Sequence, residues 1–163
     1  MSPEKNEALC KKYPKIFKFN GDLQSRQPIA WGFECGDGWY DILDVLCNGI
    51  QNEVDHVVRQ QRFQLEDGKL KPEDAVPEED LQFVAVQVKE KFGGLRFYGV
   101  GGNDRVWGMI SMAEGMSYKT CEDCGVPGKT RKGGWIRVLC DACNEARNKG
   151  KTQHLPDDEI EGE

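Results

Sequence analysis

Four cysteines near the C-terminal end of the chain constrain its fold more than any other feature. Cys121 and Cys124 form one C-x2-C pair, and Cys140 and Cys143 form a second pair after fifteen intervening residues. This is the spacing of a four-thiolate zinc site. Four thiolates complete the tetrahedron that zinc prefers and leave no open position. The spacing therefore predicts structural rather than catalytic Zn²⁺, with two disulfides or simple buried thiols as the alternatives.

The residues around the two pairs suit a small unit organised by a metal. Gly125 follows the second cysteine, and this C-x2-C-G segment resembles a zinc knuckle, in which backbone N–H groups turn towards the sulfurs. Residues 129–139 can form a hairpin that turns near Gly133 and Gly134. The second pair begins a segment suited to a helix, whose positive end favours thiolates. We expect a treble-clef finger over residues 118–150, with a zinc ribbon as the alternative.

One long helix is predicted in the chain before the finger. From Trp39 onwards the apolar residues recur at helical spacing, which indicates a helix with one buried stripe that ends near residue 65. Asp37 is the predicted N-cap. Gly49 lies within the helix, where glycine is unfavourable, and it indicates a close packing contact.

A β-hairpin is predicted after the long helix. Two β-rich runs, 82–90 and 95–100, flank Gly93 and Gly94, and glycine tolerates the positive φ that tight turns require. Other predicted elements are a helix at 4–12, a loop at 20–37 with a short strand at 29–33, an exposed loop at 66–80, and a helix at 104–117 capped by Asn103 or Asp104, with Val106, Trp107, Ile110, Ala113 and Met116 on one side.

These elements predict an α+β fold in which a long helix and a hairpin form the main core. The expected organisation is an α+β body over residues 1–117, the zinc finger over 118–150 packed on that body, and an acidic flexible tail over 151–163. The chain has 163 residues, a length that suits one compact domain with a small appendage.

Composition and charge indicate the expected cellular compartment and the distribution of charge along the chain. The N-terminal residues lack an apolar signal core, and no apolar run approaches the length of a membrane span, so we expect a cytoplasmic protein with reduced thiols. Seven cysteines is an odd number, and Cys10, Cys35 and Cys47 are expected to be small buried side chains. The net charge is −6, yet residues 117–153 carry eight basic and four acidic side chains. The finger is thus mildly basic, whereas the body is acidic.

The predicted finger hairpin carries a candidate surface for a nucleic acid or another partner. Lysine and arginine side chains can neutralise phosphates, and a tryptophan ring can stack on a base. The alternative is a solvated hairpin whose tryptophan packs on the metal core. The candidate residues are Lys129, Arg131, Lys132, Trp135 and Arg137.

The body carries a second candidate site, for a small ligand such as a nucleotide. Basic side chains surround the Gly-Gly turn, whose N–H groups can face an anion, and aromatic side chains are abundant nearby. An ordinary hairpin with aromatic core anchors is the alternative. The candidate residues are Trp39, Tyr40, Lys89, Lys91, Arg96 and Tyr98, with Trp31 and Phe92 as further aromatic side chains.

No catalytic constellation is evident. Glu34, Asp37 and Asp41 can line a polar pocket or hold a cation, although a helix cap beside core aromatics explains the same segment. The histidines are His56 and His154, and no serine, cysteine or lysine has an evident base partner. We therefore assign no catalytic residue.

Several segments together resemble a family of small uncharacterised proteins from bacteriophages and prophages. The resemblance covers most of residues 8–146 and includes a G-D-G-W segment, a hairpin motif and the two C-x2-C pairs. The segments that carry it are FECGDGWYDILDVLC, VKEKFGGLRFY, the helix ending in MAEGMS, and TCEDCG followed by GGW and LCDAC. The resemblance implies a phage accessory protein in the bacterial cytoplasm, and it carries no catalytic residue with it.

The resulting functional hypothesis is a non-catalytic binding protein with structural zinc that contacts a host or phage macromolecule, either a protein or a nucleic acid. One alternative is a protein that sequesters a signalling nucleotide. The other is a Mg²⁺-dependent nuclease or nucleotide hydrolase that uses Glu34, Asp37 and Asp41.

Overall fold

The structure is a computed structural model that describes residues 1–18 and 32–152. Several predicted features lie outside these residues. They are most of the predicted loop at 20–37 and strand at 29–33, Trp31, His154 and all but the first two residues of the predicted tail at 151–163.

The described chain has an α+β fold, as predicted, with a long helix, an antiparallel hairpin and a C-terminal cluster of four cysteines. The helices and strands are α1 (Pro3–Lys12), α2 (Tyr40–Glu66), α3 (Glu78–Leu81), β1 (Val84–Lys91), β2 (Gly94–Val100), α4 (Asp104–Ser117), β3 (Lys129–Arg131), β4 (Arg137–Leu139) and α5 (Asp141–Thr152). Within the described residues, no helix combines the length and hydrophobicity needed to span a bilayer.

Helix α2 is the main helix of the hydrophobic core. Its predicted end near residue 65 is confirmed, and its buried stripe follows the helical period. The buried residues of α2 are Ile42, Leu43, Leu46, Cys47, Ile50 and Val54. Gly49 lies against α4, where an added Cβ would be 2.8 Å from the Met109 sulfur. The two helices therefore approach closely at this glycine.

The predicted N-cap of α2 is wrong. A 3₁₀ turn, Asp37–Trp39, precedes the helix, and the N-cap residue Trp39 makes no side-chain capping bond. The Asp37 carboxylate instead accepts a hydrogen bond of 2.6 Å from the backbone N–H of Ser2. This acid ties the start of α1 to the G-D-G-W segment, a tertiary role that a local capping pattern does not reveal.

The β1–β2 hairpin turns one residue earlier than predicted. Lys91 pairs with Gly94, so Phe92 and Gly93 are the two central residues of the turn. Both have positive φ, 54° and 80°, as in a type I′ turn. Gly94 is a strand residue, and the Tyr118 ring lies against it, so that an added Cβ would be 2.4 Å from that ring.

Elements on both sides of the hairpin extend its hydrogen bonding. Glu34 bridges to β1 in parallel, through its own N–H to Val88 and through the Glu90 N–H to its carbonyl. On the other edge, the Leu95 N–H of β2 donates to the Ser117 hydroxyl at the end of α4. The inner face of the hairpin packs on α2 and α4 through Val88, Leu95 and Phe97, and the outer face points away from this core.

Helix α4 begins as predicted, since the Asn103 side chain accepts hydrogen bonds from the N–H groups of Arg105 and Val106. Its buried face is narrower than predicted. Trp107 and Met116 are 42% and 50% exposed. Met116 instead lines an apolar surface groove of about 310 Å³ between α2 and α4.

Candidate metal centre

The four cysteines of the two C-x2-C pairs converge as their spacing predicts. The sulfur atoms of Cys121, Cys124, Cys140 and Cys143 all lie within 4.8 Å of one another. The Cys124 and Cys140 sulfurs are 3.7 Å apart, close to the ~3.8 Å edge of a tetrahedron with zinc–sulfur bonds of about 2.3 Å. In the described part of the chain, no other group of three or more histidine, cysteine or acidic side chains is arranged to hold a metal. The cluster can hold one metal ion, and its ligand set fits zinc.

Local backbone geometry places each pair. Gly125 has φ of 81° and donates its N–H to the Cys121 carbonyl at 2.9 Å, which closes the knuckle around the first pair. Cys140 immediately precedes α5, and the Cys143 N–H points to the Cys140 sulfur at 3.4 Å. Strands β3 and β4 form the antiparallel hairpin between the pairs. Knuckle, hairpin and helix follow in the order of a treble clef.

The pKa values of the cysteine thiols are shifted in different directions within the cluster. Burial opposes ionisation of Cys121, but the N–H groups of Cys140, Cys124 and Asp123 point to its sulfur and lower its pKa to about 7. The pKa of Cys143 is raised, because its thiol hydrogen-bonds first to Cys124 and then to Cys140. Zinc binds thiolates, so metal binding at this cluster releases the protons that the thiols carry.

The finger packs on the body at the G-D-G-W segment, residues 36–39, which we call the seat of the finger. The Gly38 N–H donates to the Glu122 carbonyl at 2.8 Å. A Cβ on Gly38 would lie 2.1 Å from the Cys121 carbonyl oxygen, and a Cβ on Gly36 would lie 2.2 Å from that of Glu122. Both glycines are required because the backbones of the body and the knuckle are in direct contact. This explains the segment more fully than a helix cap does.

Trp39, the last residue of the seat, contacts the finger through its side chain. Its side chain is fully buried, and its indole N–H donates to the Thr120 carbonyl at 3.1 Å. The predicted ligand-stacking role is therefore not available to this ring, which has no exposed face. Tyr40 is half-buried with the Lys5 ammonium 5.4 Å from its ring centre.

Glu122, between the first two cysteines, is a buried acid that sequence reasoning missed. One carboxylate oxygen accepts from the Gly36 N–H at 3.1 Å and the other from Arg137 at 3.3 Å. Burial raises the pKa of Glu122, and the Arg137 guanidinium opposes that effect. No sequence signal separates Glu122 from a surface acid, since its burial results from docking of the finger on residues 36–38.

Most basic side chains of the finger hairpin are already paired within the finger. Lys129 and Arg131 share the Asp141 carboxylate at 3.0 and 2.5 Å. Arg137 pairs with Glu122, so its charge is used inside the molecule. Lys132 is exposed and makes no ion pair with any described residue.

Trp135 does not pack on the metal core, which was the alternative considered for it. The ring is 67% exposed, and its indole N–H donates to Glu90 in the body hairpin at 3.0 Å. A groove of about 490 Å³ runs beside it, with Arg131 and Arg147 among its walls. Arg147 is itself held by both oxygens of Asp123.

The body hairpin brings four of the predicted small-ligand residues to one surface. Alternation along the strands places Lys89 and Lys91 on the outer face, together with Arg96 and Tyr98. Lys89 is the cross-strand partner of Arg96. Tyr118, which the sequence analysis did not select, joins them because it lies over Gly94.

The three acids considered for a cation do not converge. Glu34 accepts from the Gln87 amide on β1, Asp37 accepts from Ser2, and Asp41 lines the apolar groove beside α2. Each carboxylate therefore has a separate environment.

The three remaining cysteines are free thiols. Cys35 and Cys47 are buried and Cys10 is half-buried, largely as expected. Burial raises the pKa of Cys35 to about 12, so this thiol is inert at neutral pH.

Comparison of the chain with protein-family models, with curated proteins and with solved structures gave no match.

Proposed function

We propose that the protein is a non-catalytic binding protein, stabilised by structural zinc, that acts by contacting a macromolecule in a bacterial cell as a phage accessory protein. The observation that carries this proposal is the closed cluster of four cysteines. Four thiolate ligands fill the coordination sphere of zinc and leave no position for water or substrate. The metal then serves to fold the finger.

The seating of the finger supports a structural role for the metal. The knuckle that holds Cys121 and Cys124 is joined to Gly38 by a hydrogen bond and to Trp39 through the Thr120 carbonyl. A metal that fixes the knuckle also fixes the surface that the finger and body form together. The setting in a phage-infected cell rests on the sequence resemblance alone.

The alternative of a Mg²⁺-dependent hydrolase receives less support. A metal-dependent nuclease requires carboxylates that share one cation, whereas Glu34, Asp37 and Asp41 each have a different partner or environment. The binding hypothesis uses exposed side chains that the structure does present, among them Trp135, Tyr98 and Phe92.

The test compares binding with turnover. The zinc-loaded chain is incubated with Mg²⁺ and with nucleotides and single- or double-stranded nucleic acids, and the products are separated. The proposal expects unchanged substrates, together with specific retention of a macromolecule when the chain is used as bait in a bacterial lysate with and without nuclease. Turnover that is lost in Glu34→Ala, Asp37→Ala or Asp41→Ala would replace the proposal with the hydrolase alternative.

A further inference from the structure

The outer face of the body hairpin combines cations and aromatic rings in a repeated arrangement. The Lys89 ammonium lies 5.9 Å from the ring centre of Tyr98, Lys91 lies 5.5 Å from that of Phe92, and the Arg96 guanidinium lies 5.7 Å from that of Tyr118. Each cation on this face is thus next to a ring.

These cations have no carboxylate partner among the described residues, unlike Lys129, Arg131 and Arg137 of the finger hairpin. Lys89 and Lys91 make no ion pair, and Arg96 donates to the Tyr118 hydroxyl at 2.8 Å and to the Leu95 carbonyl. Two acids act near this face: Glu34, which pairs with Lys89 in a β-bridge and accepts from the Gln87 amide, and Glu114, whose charge acts on Arg96. The face therefore keeps positive charge that is available to an anion.

The turn residue Phe92 adds an independent observation. It is the one non-glycine residue with positive φ in the described chain, a conformation that favours glycine or asparagine. Its ring is 68% exposed, so burial does not offset the unfavourable backbone. A bulky aromatic side chain held at a strained and solvent-exposed position indicates a functional role.

We propose that this outer face binds single-stranded nucleic acid, with bases stacked on Tyr98 and Phe92 and phosphates on Lys89, Lys91 and Arg96. Stacking on aromatic rings and phosphate contacts with cations are the two elements of such recognition. The proposal rests on the proposed function and names the macromolecule.

The spacing along the hairpin distinguishes a strand from a single nucleotide. Tyr98 lies four strand residues from Gly94, and Phe92 lies in the turn beyond Gly94. At about 3.3 Å per strand residue, the backbone positions of the two aromatic residues are separated by roughly 13 Å or more. One nucleotide cannot stack on both rings, whereas several linked nucleotides can.

The experiment measures fluorescence anisotropy of labelled 15-nucleotide DNA and RNA oligomers with the full zinc-loaded chain at several salt concentrations. The wild type is expected to bind with an affinity that falls as salt rises, because phosphate contacts release counterions. Lys89→Gln with Lys91→Gln should weaken binding about tenfold and reduce the salt slope by roughly one to two. The charge-matched control is Lys11→Gln with Lys71→Gln, on exposed sites elsewhere, which should bind like the wild type.

Two aromatic variants separate binding from folding. Phe92→Asn should weaken binding about tenfold, since it removes a stacking ring, while thermal stability stays equal or rises because asparagine suits the turn. Tyr98→Ala should weaken binding by a similar factor, and Tyr98→Phe should retain it.

The outcomes are distinct for the site and for the proposed function. A wild type that fails to bind any oligomer at low salt overturns the inference, as does binding that the hairpin variants leave unchanged. Equal affinity for mononucleotides and oligomers assigns the face to a free nucleotide and overturns the single-strand proposal. Cleavage of the oligomers would contradict the non-catalytic function. The hairpin variants would then show whether the nucleic acid binds at this face.

Discussion

Two glycines at the seat of the finger show how single residues couple the metal centre to the body. Gly36 and Gly38 carry no charge and ligate nothing, yet the carbonyl groups of the knuckle lie where their Cβ atoms would be. Their role is steric, because a side chain at either position would overlap the backbone of the knuckle. The knuckle carries two of the four cysteines, so its position depends on these glycines.

Gly38→Ala should separate the finger from its seat. An added Cβ would lie 2.1 Å from the Cys121 carbonyl oxygen and 2.4 Å from the Gly125 nitrogen, and backbone atoms cannot yield as a flexible side chain can. We expect a loss of roughly 2–4 kcal/mol in the free energy of unfolding. Urea denaturation measures it. The control is Gly115→Ala in α4, where the added Cβ meets open space and helix propensity predicts equal or higher stability.

A second residue-scale prediction concerns pH. Asp44 on α2 accepts from Lys12 at 2.7 Å and from the Tyr13 hydroxyl at 2.8 Å, and these bonds, led by the one from Lys12, hold its pKa below the ordinary value. A carboxyl with a lowered folded-state pKa stabilises the fold above its unfolded pKa of about 4, and the benefit is lost on acidification. The stability difference between wild type and Asp44→Asn should therefore be present at pH 7 and should shrink below about pH 4. A difference that grows on acidification would contradict this role.

At the scale of elements, sequence patterns predicted the parts that local interactions determine. The long helix, the antiparallel hairpin and the Asn103 cap follow from periodicity and from local hydrogen-bond chemistry. The turn position did not follow, because a phenylalanine rarely adopts the positive φ of Phe92. The role of Asp37 did not follow, because its hydrogen-bond donor Ser2 lies 35 residues away in the chain. The four cysteines were predictable as a group because ligand spacing is itself a local pattern.

The ion pair between strand β4 and the knuckle leads to a prediction at the scale of elements. Arg137 on β4 neutralises Glu122, whose side chain is only 6% exposed. Arg137→Met should destabilise the protein by on the order of 3 kcal/mol, because it leaves a buried carboxylate without its cation. Adding Glu122→Gln should restore part of the loss, since the neutral amide no longer needs that cation. Thermal unfolding of the two variants measures the difference, and equal destabilisation would show that the pair has no special role.

At the scale of the whole molecule, the finger and the body form a joint structure with two differently charged hairpins. The finger hairpin uses Arg131 and Arg137 in internal ion pairs, whereas the body hairpin leaves Lys89 and Lys91 without carboxylate partners. Lys132 is the one cation of the finger hairpin without an ion pair among the described residues, so the body hairpin presents more positive charge that is not neutralised. The sequence predicts basic residues in both hairpins but does not show which of them are neutralised, because the fold brings their carboxylate partners near.

Loss of one cysteine of the cluster should release the finger while the core remains. Cys140→Ser is expected to remove hydrogen-exchange protection from residues 118–150 and from the Gly38 N–H, whose acceptor is the Glu122 carbonyl. Protection in α2 should remain, because its buried residues contact the body core. A global loss of protection would show that the body cannot fold without the metal.

The most direct measurement is the zinc content of the folded chain, determined by native mass spectrometry together with elemental analysis. The closed four-cysteine centre predicts one zinc ion per chain in the wild type and in Cys35→Ser, and none retained in Cys140→Ser. A wild-type chain that binds no metal when purified under reducing conditions with zinc present, or a Cys140→Ser variant that keeps the full complement, would contradict it.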